Sequence, residues 1–413
     1  MVSATATHYL AVNAGSSSIK FALYRAAPEL SPVFYGSIDG IGGEHACFSV
    51  QGAPGDTFTR QFPIPEQVTA VNVLLDWLGE RLDPANLGAI AHRVVHGCAA
   101  YSGTTEISDA MLGVLYDGVR TEPHHLPQEI HLIDTLRRRY PGAAHIACFD
   151  SAFHAHMPAV ASTLAIPHRF GAAGIRRFGY HGLACAWMMR ELARVAGPAA
   201  AHGKVVLAQL GGGASITAVQ HGVSRDTTMG LTPAGGIPMG KRSGDIDPGL
   251  AWHCLRQEQM TPAQFNHMLN DESGLLGVSG RSADLRVLLA HQADDSRCAA
   301  AVELFVYQTR KAICAMAGAI DGVDTLIFGG GIGEHSAEVR MRICARLGHL
   351  GILVDPGRNS AHQARISSDA SRVQVRVMNT DEQWILAEEA RVLLAARAAN
   401  PHEGAPHEGA PHE

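Results

Sequence analysis

The chain has 413 residues, 46% of them hydrophobic and 17% charged, with a formal net charge of −6. This composition is ordinary for a folded globular protein and argues against disorder, while the length exceeds what one hydrophobic core usually supports and therefore predicts two domains. The net charge offers no electrostatic footprint for nucleic acid, and no apolar run reaches the roughly 18 residues that a membrane helix needs, so neither partner is expected.

Two stretches predict a strand, a turn of small residues and a second strand. In the first, an apolar run at 9–12 leads through Asn-Ala-Gly-Ser-Ser-Ser into a second run at 19–24. In the other, residues 205–210 lead through Gly-Gly-Gly-Ala-Ser into 216–219. A P-loop would instead place a helix after the turn and end in Gly-Lys-Ser or Gly-Lys-Thr, and neither stretch does so.

Later strands and helices repeat in both halves of the chain. Strand-like runs occur at 145–149 and 325–328. Helical spacing gives apolar faces to two segments: Val68, Val71, Leu75 and Leu78 in 66–81, and Val302, Phe305, Thr309 and Ile313 in 298–320. We therefore predict a duplicated α/β unit in which the two hairpin tips face each other across a cleft. Two unrelated hairpins are the alternative.

The arrangement of the cysteines indicates the redox state of the compartment in which the protein works. The eight cysteines are scattered singly from Cys47 to Cys344, which in a chain of this length predicts reduced thiols and a cytoplasmic protein.

Beyond residue 400, Pro-His-Glu occurs three times at a period of five, and we expect a disordered tail over 400–413. Loose metal binding by its His and Glu residues is the alternative.

Glycine-rich turns are typical of phosphate sites. Without a Cβ atom, backbone N–H groups can approach phosphate oxygens closely, and Lys20 adds a donor beside the first turn. A third glycine cluster at 329–333 precedes a predicted helix at 337–347, whose N-terminus would also favour phosphate. One such turn is a common structural feature, whereas two turns and a third glycine cluster together favour a phosphate site.

Charged residues stand at the ends of two apolar strands and in one glycine-rich loop. Arg93 and Asp150 follow strand-like runs, and Arg242 lies among glycines and acids before Pro248. A charged group at the end of an apolar strand is more often aimed into a cleft than into solvent, and loops of this kind concentrate function. We therefore predict that Arg93 and Asp150 point into a cleft and that the loop of Arg242 is functional. For Arg93, a solvated surface position is the alternative.

Nine motifs, in order along the chain, resemble the acetate and propionate kinases, within the superfamily of sugar kinases, heat-shock chaperones and actin. They are N-A-G-S-S-S-I-K at 13–20, H-R-V-V-H-G at 92–97, F-D-S-A-F-H at 149–154, R-R-F-G-Y-H-G at 176–182, D-T-T-M-G-L-T-P at 226–233, K-R-S-G-D-I-D-P at 241–248, D-L-R at 284–286, G-I-G-E at 331–334 and T-D-E at 380–382. The resemblance implies a duplicated actin-like (ribonuclease H-like) two-domain α/β fold with an interdomain active-site cleft, and a homodimer.

The resemblance also implies domain boundaries and residue roles. Residues 1–151 with about 384–399 would form the N-terminal domain, and 152–383 the nucleotide-binding domain. The matching catalytic positions are Asp150, His181, Arg242 and His125. The matching acid-binding positions are Arg93 for the carboxylate and Val95, His124, Tyr180 and Pro233 for the acyl chain. The matching magnesium positions are Asn13 and Glu382, with Mn²⁺ as an alternative ion.

The nucleotide positions include three departures from the family pattern. The matching residues for ATP or ADP are Ser18, Lys20, Gln209, Leu210, Gly211, Gly212, Gly213, Asp284, Leu285, Arg286, Gly331, Ile332, Gly333, Glu334 and His335. The family's H-L-G-N-G has become Gln209 to Gly213, and its G-I-G-E-N ends in His335, so nucleotide preference stays open. At 123–127, where the family has P-L-H-N-P, this chain has His124 in place of the apolar residue, so the preference among acyl chains stays open as well.

The activity implied by the resemblance is reversible transfer of the ATP γ-phosphoryl group to acetate, giving acetyl phosphate and ADP by direct in-line transfer. A short fatty acid has a pKa near ~4 and is ionised at pH 7, so it needs no general base. It needs relief from repulsion between anions, which Arg93, Arg242 and Mg²⁺ can supply. Asp150 is therefore expected to organise metal, water or arginine rather than to accept a proton.

Three other functions remain as alternatives. A propionate or butyrate kinase differs by only a few methylenes in the acyl pocket, which give modest discrimination. A non-catalytic nucleotide-binding sensor could share the fold, although it would not need the whole set of charged residues. A sugar kinase would need a base and would not need a carboxylate-binding arginine.

Overall fold

The computed structural model describes residues 7–15, 17–26, 29–52, 56–120 and 122–399, so the Pro-His-Glu tail lies outside the described residues. The chain divides into two compact units. Unit 1 holds the described residues of Met1–Ala152 and Glu382–Glu413, and unit 2 is Phe153–Asp381. None of the described helices combines the length and the apolar character that crossing a bilayer requires.

The strands form one sheet in each unit. In unit 1 they are β1 (His8–Ala14), β2 (Ser18–Arg25), β3 (Ser31–Asp39), β4 (Gly43–Gln51), β5 (Phe58–Ile64), β6 (Leu87–Val94), β7 (Thr105–Glu106) and β8 (Ala144–Phe149). In unit 2 they are β9 (Lys204–Leu210), β10 (Ala214–Gln220), β11 (Val223–Thr227), β12 (Thr325–Gly329) and β13 (Gln374–Val377). The sheet orders are β5-β4-β3-β2-β1-β6-β8-β7 and β11-β10-β9-β12-β13.

The helices lie between the strands and at the end of the described chain. In chain order they are α1 (Gln67–Gly79), α2 (Asp109–Gly118), α3 (Leu126–Arg139), α4 (Ala159–Ser162), α5 (His168–Ala172), α6 (Gly182–Ala196), α7 (Pro198–His202), α8 (Pro248–Arg256), α9 (Pro262–His267), α10 (Gly274–Ser279), α11 (Leu285–His291), α12 (Ser296–Ala319), α13 (Gly330–His335), α14 (Ala337–Cys344), α15 (Pro356–Ser360) and α16 (Glu382–Ala399). Helix α16 belongs to unit 1 and packs on β1 and β6, although it follows all of unit 2 in sequence.

Both sheets repeat one arrangement, as the sequence predicted. In each, a three-stranded antiparallel ribbon (β1-β2-β3 or β9-β10-β11) continues through its first strand into two parallel strands. The parallel strands are β6 and β8 in unit 1 and β12 and β13 in unit 2. Because parallel strands end at the same edge of a sheet, the residues that follow β1, β6 and β8 are brought together, and so are those that follow β9 and β12.

The core of unit 1 forms where α1 covers the ribbon. The indole of Trp77 lies 4.9 Å from the ring of Phe34 and 5.6 Å from that of Phe21, in edge-on and tilted contacts that stabilise such cores beyond area burial. The predicted face of α1 was wrong at one end, because Val68 is 43% exposed. The helix is rotated so that Leu74 and Trp77 join the buried side.

The helices of unit 2 include one confirmed prediction and one correction. The four apolar residues predicted to share a face of α12 are all buried, which confirms that helix. The third glycine cluster does not remain a loop before a helix at 337–347. Gly330–His335 is itself the short helix α13, with Gly329 as its N-cap, and α14 then occupies only Ala337–Cys344. Gly330 adopts φ +74°, a conformation that glycine reaches without steric cost.

Candidate active site

A charged cluster forms at the carboxyl edge of the unit 1 sheet. Arg93 lies near the end of β6, and Asp150 directly follows β8, with its backbone N–H donating to the carbonyl of Val94. The Nη2 atom of Arg93 donates to Asp150 Oδ2 over 3.0 Å. The side chain of Arg93 is only 14% exposed and that of Asp150 only 3%. The two strand-end charges are therefore paired and largely buried, and the alternative of a solvated Arg93 is wrong.

A second carboxylate holds the other side of the same guanidinium. Glu129 lies in the first turn of α3, and its side chain is fully buried. Its Oε1 atom accepts from Arg93 Nη1 at 2.7 Å, and its Oε2 atom accepts from the backbone N–H of Val95 at 2.9 Å. Sequence reasoning missed Glu129, because neither its position in a helix nor its neighbours distinguish it from a solvated glutamate.

Burial and charge act against each other in this cluster. Burial raises the pKa of Glu129 to about 7, although Arg93 and the amide of Val95 counteract it. Burial by itself would lower the pKa of Arg93, but the carboxylates of Asp150 and Glu129 outweigh it and raise the pKa overall. Arg93 is therefore a permanent cation, whereas Glu129 can change its charge near neutral pH.

The predicted magnesium residues are paired in unit 1. Asn13, near the end of β1, donates from Nδ2 to Glu382 Oε2 over 2.9 Å. Burial and the charge of Asp150 raise the pKa of Glu382, whereas Arg93 and Lys20 lower it. An amide and a carboxylate are oxygen ligands of the kind that Mg²⁺ accepts, so the pair fits the ion. No cluster of three His, Cys, Asp or Glu residues suited to a metal occurs in the described part of the chain. In kinase sites Mg²⁺ usually takes its other ligands from substrate phosphates and water.

The remaining predicted residues of unit 1 occupy different environments. His125 is the N-cap residue of α3 and its Nδ1 atom lies 2.8 Å from Glu122 Oε1, a buried carboxylate that sequence reasoning also missed. Burial would raise the pKa of Glu122, but its hydrogen bond and charge interaction with His125 lower it overall. Val95 is buried and His124 is half-buried, while Lys20 is exposed beside the first hairpin tip.

His181, in unit 2, is held in an unusual backbone conformation. It precedes α6 and adopts φ +61° and ψ +26°, the left-handed region that non-glycine residues rarely occupy. The Nδ1 atom of its ring lies 2.9 Å from Ser215 Oγ, on β10. A glycine would adopt this conformation at lower cost, so an imidazole at this strained position favours a functional side chain.

Arg242 approaches the second hairpin tip together with His181. A Cβ atom added to Gly213 would lie 3.1 Å from His181 Nε2 and 3.5 Å from Arg242 Nη1, so both groups line that glycine. Arg242 Nη1 also donates to the carbonyl of Pro233 at 3.3 Å. The hydroxyl of the buried Tyr180 donates to Leu231 O at 2.5 Å, which places Tyr180 against the loop that carries Pro233.

Three glycine-rich segments contact one another in unit 2. The N–H of Gly240 donates to the carbonyl of Gly212 at 3.1 Å. A Cβ atom on Gly330 would lie 2.6 Å from the carbonyl of Leu210, and one on Gly211 would lie 3.9 Å from the N atom of Gly331. The hairpin tip, the arginine loop and α13 therefore form one surface of backbone groups, as a phosphate site requires.

The side chains of several predicted nucleotide residues make hydrogen bonds or packing contacts within the protein. Glu334 Oε1 accepts from the N–H groups of Gly330 at 3.1 Å and Thr380 at 3.2 Å. Asp284 caps α11 through the N–H of Arg286, and Leu285 is buried. Gln209 is also buried, with its amide against Gly329 and Gly330. These residues support the surface formed by the glycine-rich segments. The side chain of His335, in contrast, is 78% exposed to solvent.

Comparison with known proteins identifies the family. The model of the Acetokinase family matches residues 8–388. An acetate kinase from Rhodopseudomonas palustris (strain TIE-1) is 40% identical over 385 residues, covering 92% of this chain and 96% of that protein. The chain belongs to the acetokinase family.

Solved structures of a propionate kinase and an acetate kinase have the same fold. A propionate kinase from Francisella tularensis subsp. tularensis SCHU S4 has a TM-score of 0.85 at 31% identity, covering 93% of this chain and 98% of that one. The acetate kinase of Porphyromonas gingivalis has a TM-score of 0.82 at 29% identity, covering 94% and 100%. The predicted actin-like α/β fold is thereby confirmed, and so is the resemblance from which it came.

Proposed function

We propose that the protein is an acetate kinase, which transfers the γ-phosphoryl group of ATP reversibly to acetate. The observation that supports this most strongly is that two guanidinium groups, those of Arg93 and Arg242, are fixed by neighbouring groups in a member of the acetokinase family. Fixed cations at the reacting groups are the main requirement for bringing two anions together.

In unit 1, Arg93 is the proposed partner of the acid. Its guanidinium carries five N–H donors, of which two are assigned to Glu129 and Asp150, so donors remain for a substrate carboxylate. Asp150 orients Arg93 and needs no role as a base, because acetate is already ionised at pH 7. Val95, which follows Arg93 by two residues and is buried, is the proposed contact for the methyl group.

In unit 2, the proposed nucleotide surface is the group of contacting glycine-rich segments at 211–213, 240 and 330–331. His181 and Arg242, which both line Gly213, would stabilise negative charge on the phosphoryl group as it is transferred. Asn13 and Glu382 would hold Mg²⁺, which when bound would neutralise charge on the phosphates. We further propose that the protein works in the cytoplasm as a homodimer.

The proposal is tested by trapping acyl phosphate with hydroxylamine. Purified protein is incubated with ATP, Mg²⁺ and one acid at a time (acetate, propionate or butyrate), and hydroxamate is measured beside ADP release. We expect the highest kcat/KM with acetate. Arg93→Met and Arg242→Met should each lower kcat/KM at least about 100-fold, since each removes a charge that acts on the transition state.

The control is Arg342→Met, which removes an equal charge from a solvent-accessible ion pair on α14 and should retain activity. ADP formation with a sugar, but no hydroxamate with any acid, would replace the proposal with a sugar kinase. Full turnover in Arg93→Met and Arg242→Met, with both variants folded by circular dichroism, would refute the mechanism. A higher kcat/KM with propionate would make the protein a propionate kinase.

A further inference from the structure

Both carboxylate oxygens of the buried Glu129 accept hydrogen bonds from groups beside the end of β6. Each of its carboxylate oxygens is committed to a group at the end of β6, the first to the guanidinium of Arg93 and the second to the backbone N–H of Val95. Its side chain is fully buried, whereas that of Arg93 keeps a 14% exposed fraction. Glu129 therefore holds the rear of a cation whose other side remains accessible.

Arg93 is surrounded by more negative than positive charge. Glu129 faces it from α3, Asp150 from the end of β8 and Glu382 from the start of α16, while the cation of Lys20 acts on Glu382. A bound carboxylate would add a further negative charge to this group. The affinity for such an anion therefore depends on whether each of these carboxyl groups is ionised.

We propose that Glu129 is a positioning residue, which fixes the guanidinium of Arg93 and whose negative charge competes with the substrate carboxylate for it. The inference rests on the proposed function of Arg93 as the acid-binding residue. It gives Glu129 two separable effects: its shape orients Arg93, and its ionisation weakens acid binding.

The sign of the pH effect follows from the surroundings of Glu129. Burial raises its pKa to about 7, with Asp150 and Glu122 acting in the same direction and Arg93 and the amide of Val95 acting against them. Below this pH the carboxyl group is neutral and the charge of Arg93 is available to an anion. Above it, the ionised Glu129 repels the anion, so acid binding weakens as the pH rises. Glu122, which acts on Glu129, is itself paired with His125, so the pH effect is assigned to Glu129 by substitution.

The experiment measures acetate binding directly, by broadening of the acetate methyl signal in proton NMR between pH 6 and 8.5. Acetate stays ionised throughout, so its own titration does not contribute. We expect the Kd of the wild-type protein to rise about tenfold over this range. Glu129→Gln should vary less than about twofold, because the competing charge is gone, and Glu129→Asp should retain the rise. Asp134→Asn, which removes a charge elsewhere on α3, is the matched control and should behave as the wild type.

Two results would overturn the inference: an equal rise in Kd for Glu129→Gln and the wild type, or a flat profile for the wild type. Hydroxamate formation separates this test from that of the proposed function. Wild-type protein with the expected binding profile but no hydroxamate would refute the kinase and leave the role of Glu129 intact. Hydroxamate formation together with the same pH dependence of Kd in Glu129→Gln and the wild type would support the kinase and refute the role of Glu129.

Discussion

Replacing Arg340 with methionine removes the guanidinium that holds the C-terminal end of the glycine-rich helix α13. Arg340 has no exposed surface. Its Nη1 atom donates to the carbonyls of Gly333 and Glu334, each at 2.8 Å. Its Nε atom donates to Asn359 Oδ1 at 2.9 Å and its Nη2 atom to Asn359 O at 3.0 Å. One side chain thus joins α13 to α15.

The expected loss of stability follows from these contacts. Methionine fills a similar volume but leaves the four oxygens without the donors that Arg340 supplies. A buried acceptor that loses its donor costs about 1 to 3 kcal/mol. Relief from burying a charged group offsets part of this cost; burial also lowers the pKa of Arg340. We expect a net loss of about 3 to 5 kcal/mol in the free energy of unfolding.

The measurement is urea unfolding followed by circular dichroism, with Arg342→Met as the control on the same helix. Arg342 pairs with Glu303 and Glu338, its side chain is 25% exposed, and its loss should cost less than about 1 kcal/mol. Under the proposed function, Arg340→Met should also raise the KM for ATP more than that for acetate, since α13 carries the glycines of the nucleotide surface. Equal stability of the two variants would refute the reasoning.

Three further changes test other parts of the structure. Since burial raises the pKa of Glu129 from 4.5 to about 7, its folded form binds the proton more tightly; the stability of wild type relative to Glu129→Gln should fall by about 3 kcal/mol from pH 4.5 to 8, and a constant difference in urea titrations would contradict this. Gly36→Ala would place Cβ 2.1 Å from the Phe21 ring and should lower the unfolding free energy by about 1 to 3 kcal/mol, whereas Gly113→Ala in α2 meets no neighbour and should not. His124→Leu should shift relative kcat/KM toward apolar acids in a panel of acetate, propionate, butyrate and glycolate; an unchanged ranking would show that His124 does not contact the acyl chain.

The prediction succeeded where the information is local in the chain. The glycine-tipped hairpins, the strands that end near Arg93 and Asp150, and the buried face of α12 all follow from spacing and turn residues that lie within a few positions of one another. It failed at Val68 on α1, because several faces of that helix carry apolar residues and the position of the sheet selects one. A helical pattern restricts the choice of face without deciding it.

The amino-acid sequence by itself determined the repeated α/β pattern and the motifs that mark the family, since these depend on residue type and short spacing. Only the tertiary structure decided that Glu129, 36 residues away in sequence, is the second carboxylate on Arg93, and that Arg340 is buried among carbonyl groups. The physical reason is that the residues beside a carboxylate or guanidinium in the sequence do not determine whether that group is solvated, paired or buried. The packing of distant helices and strands determines which of these states is realised.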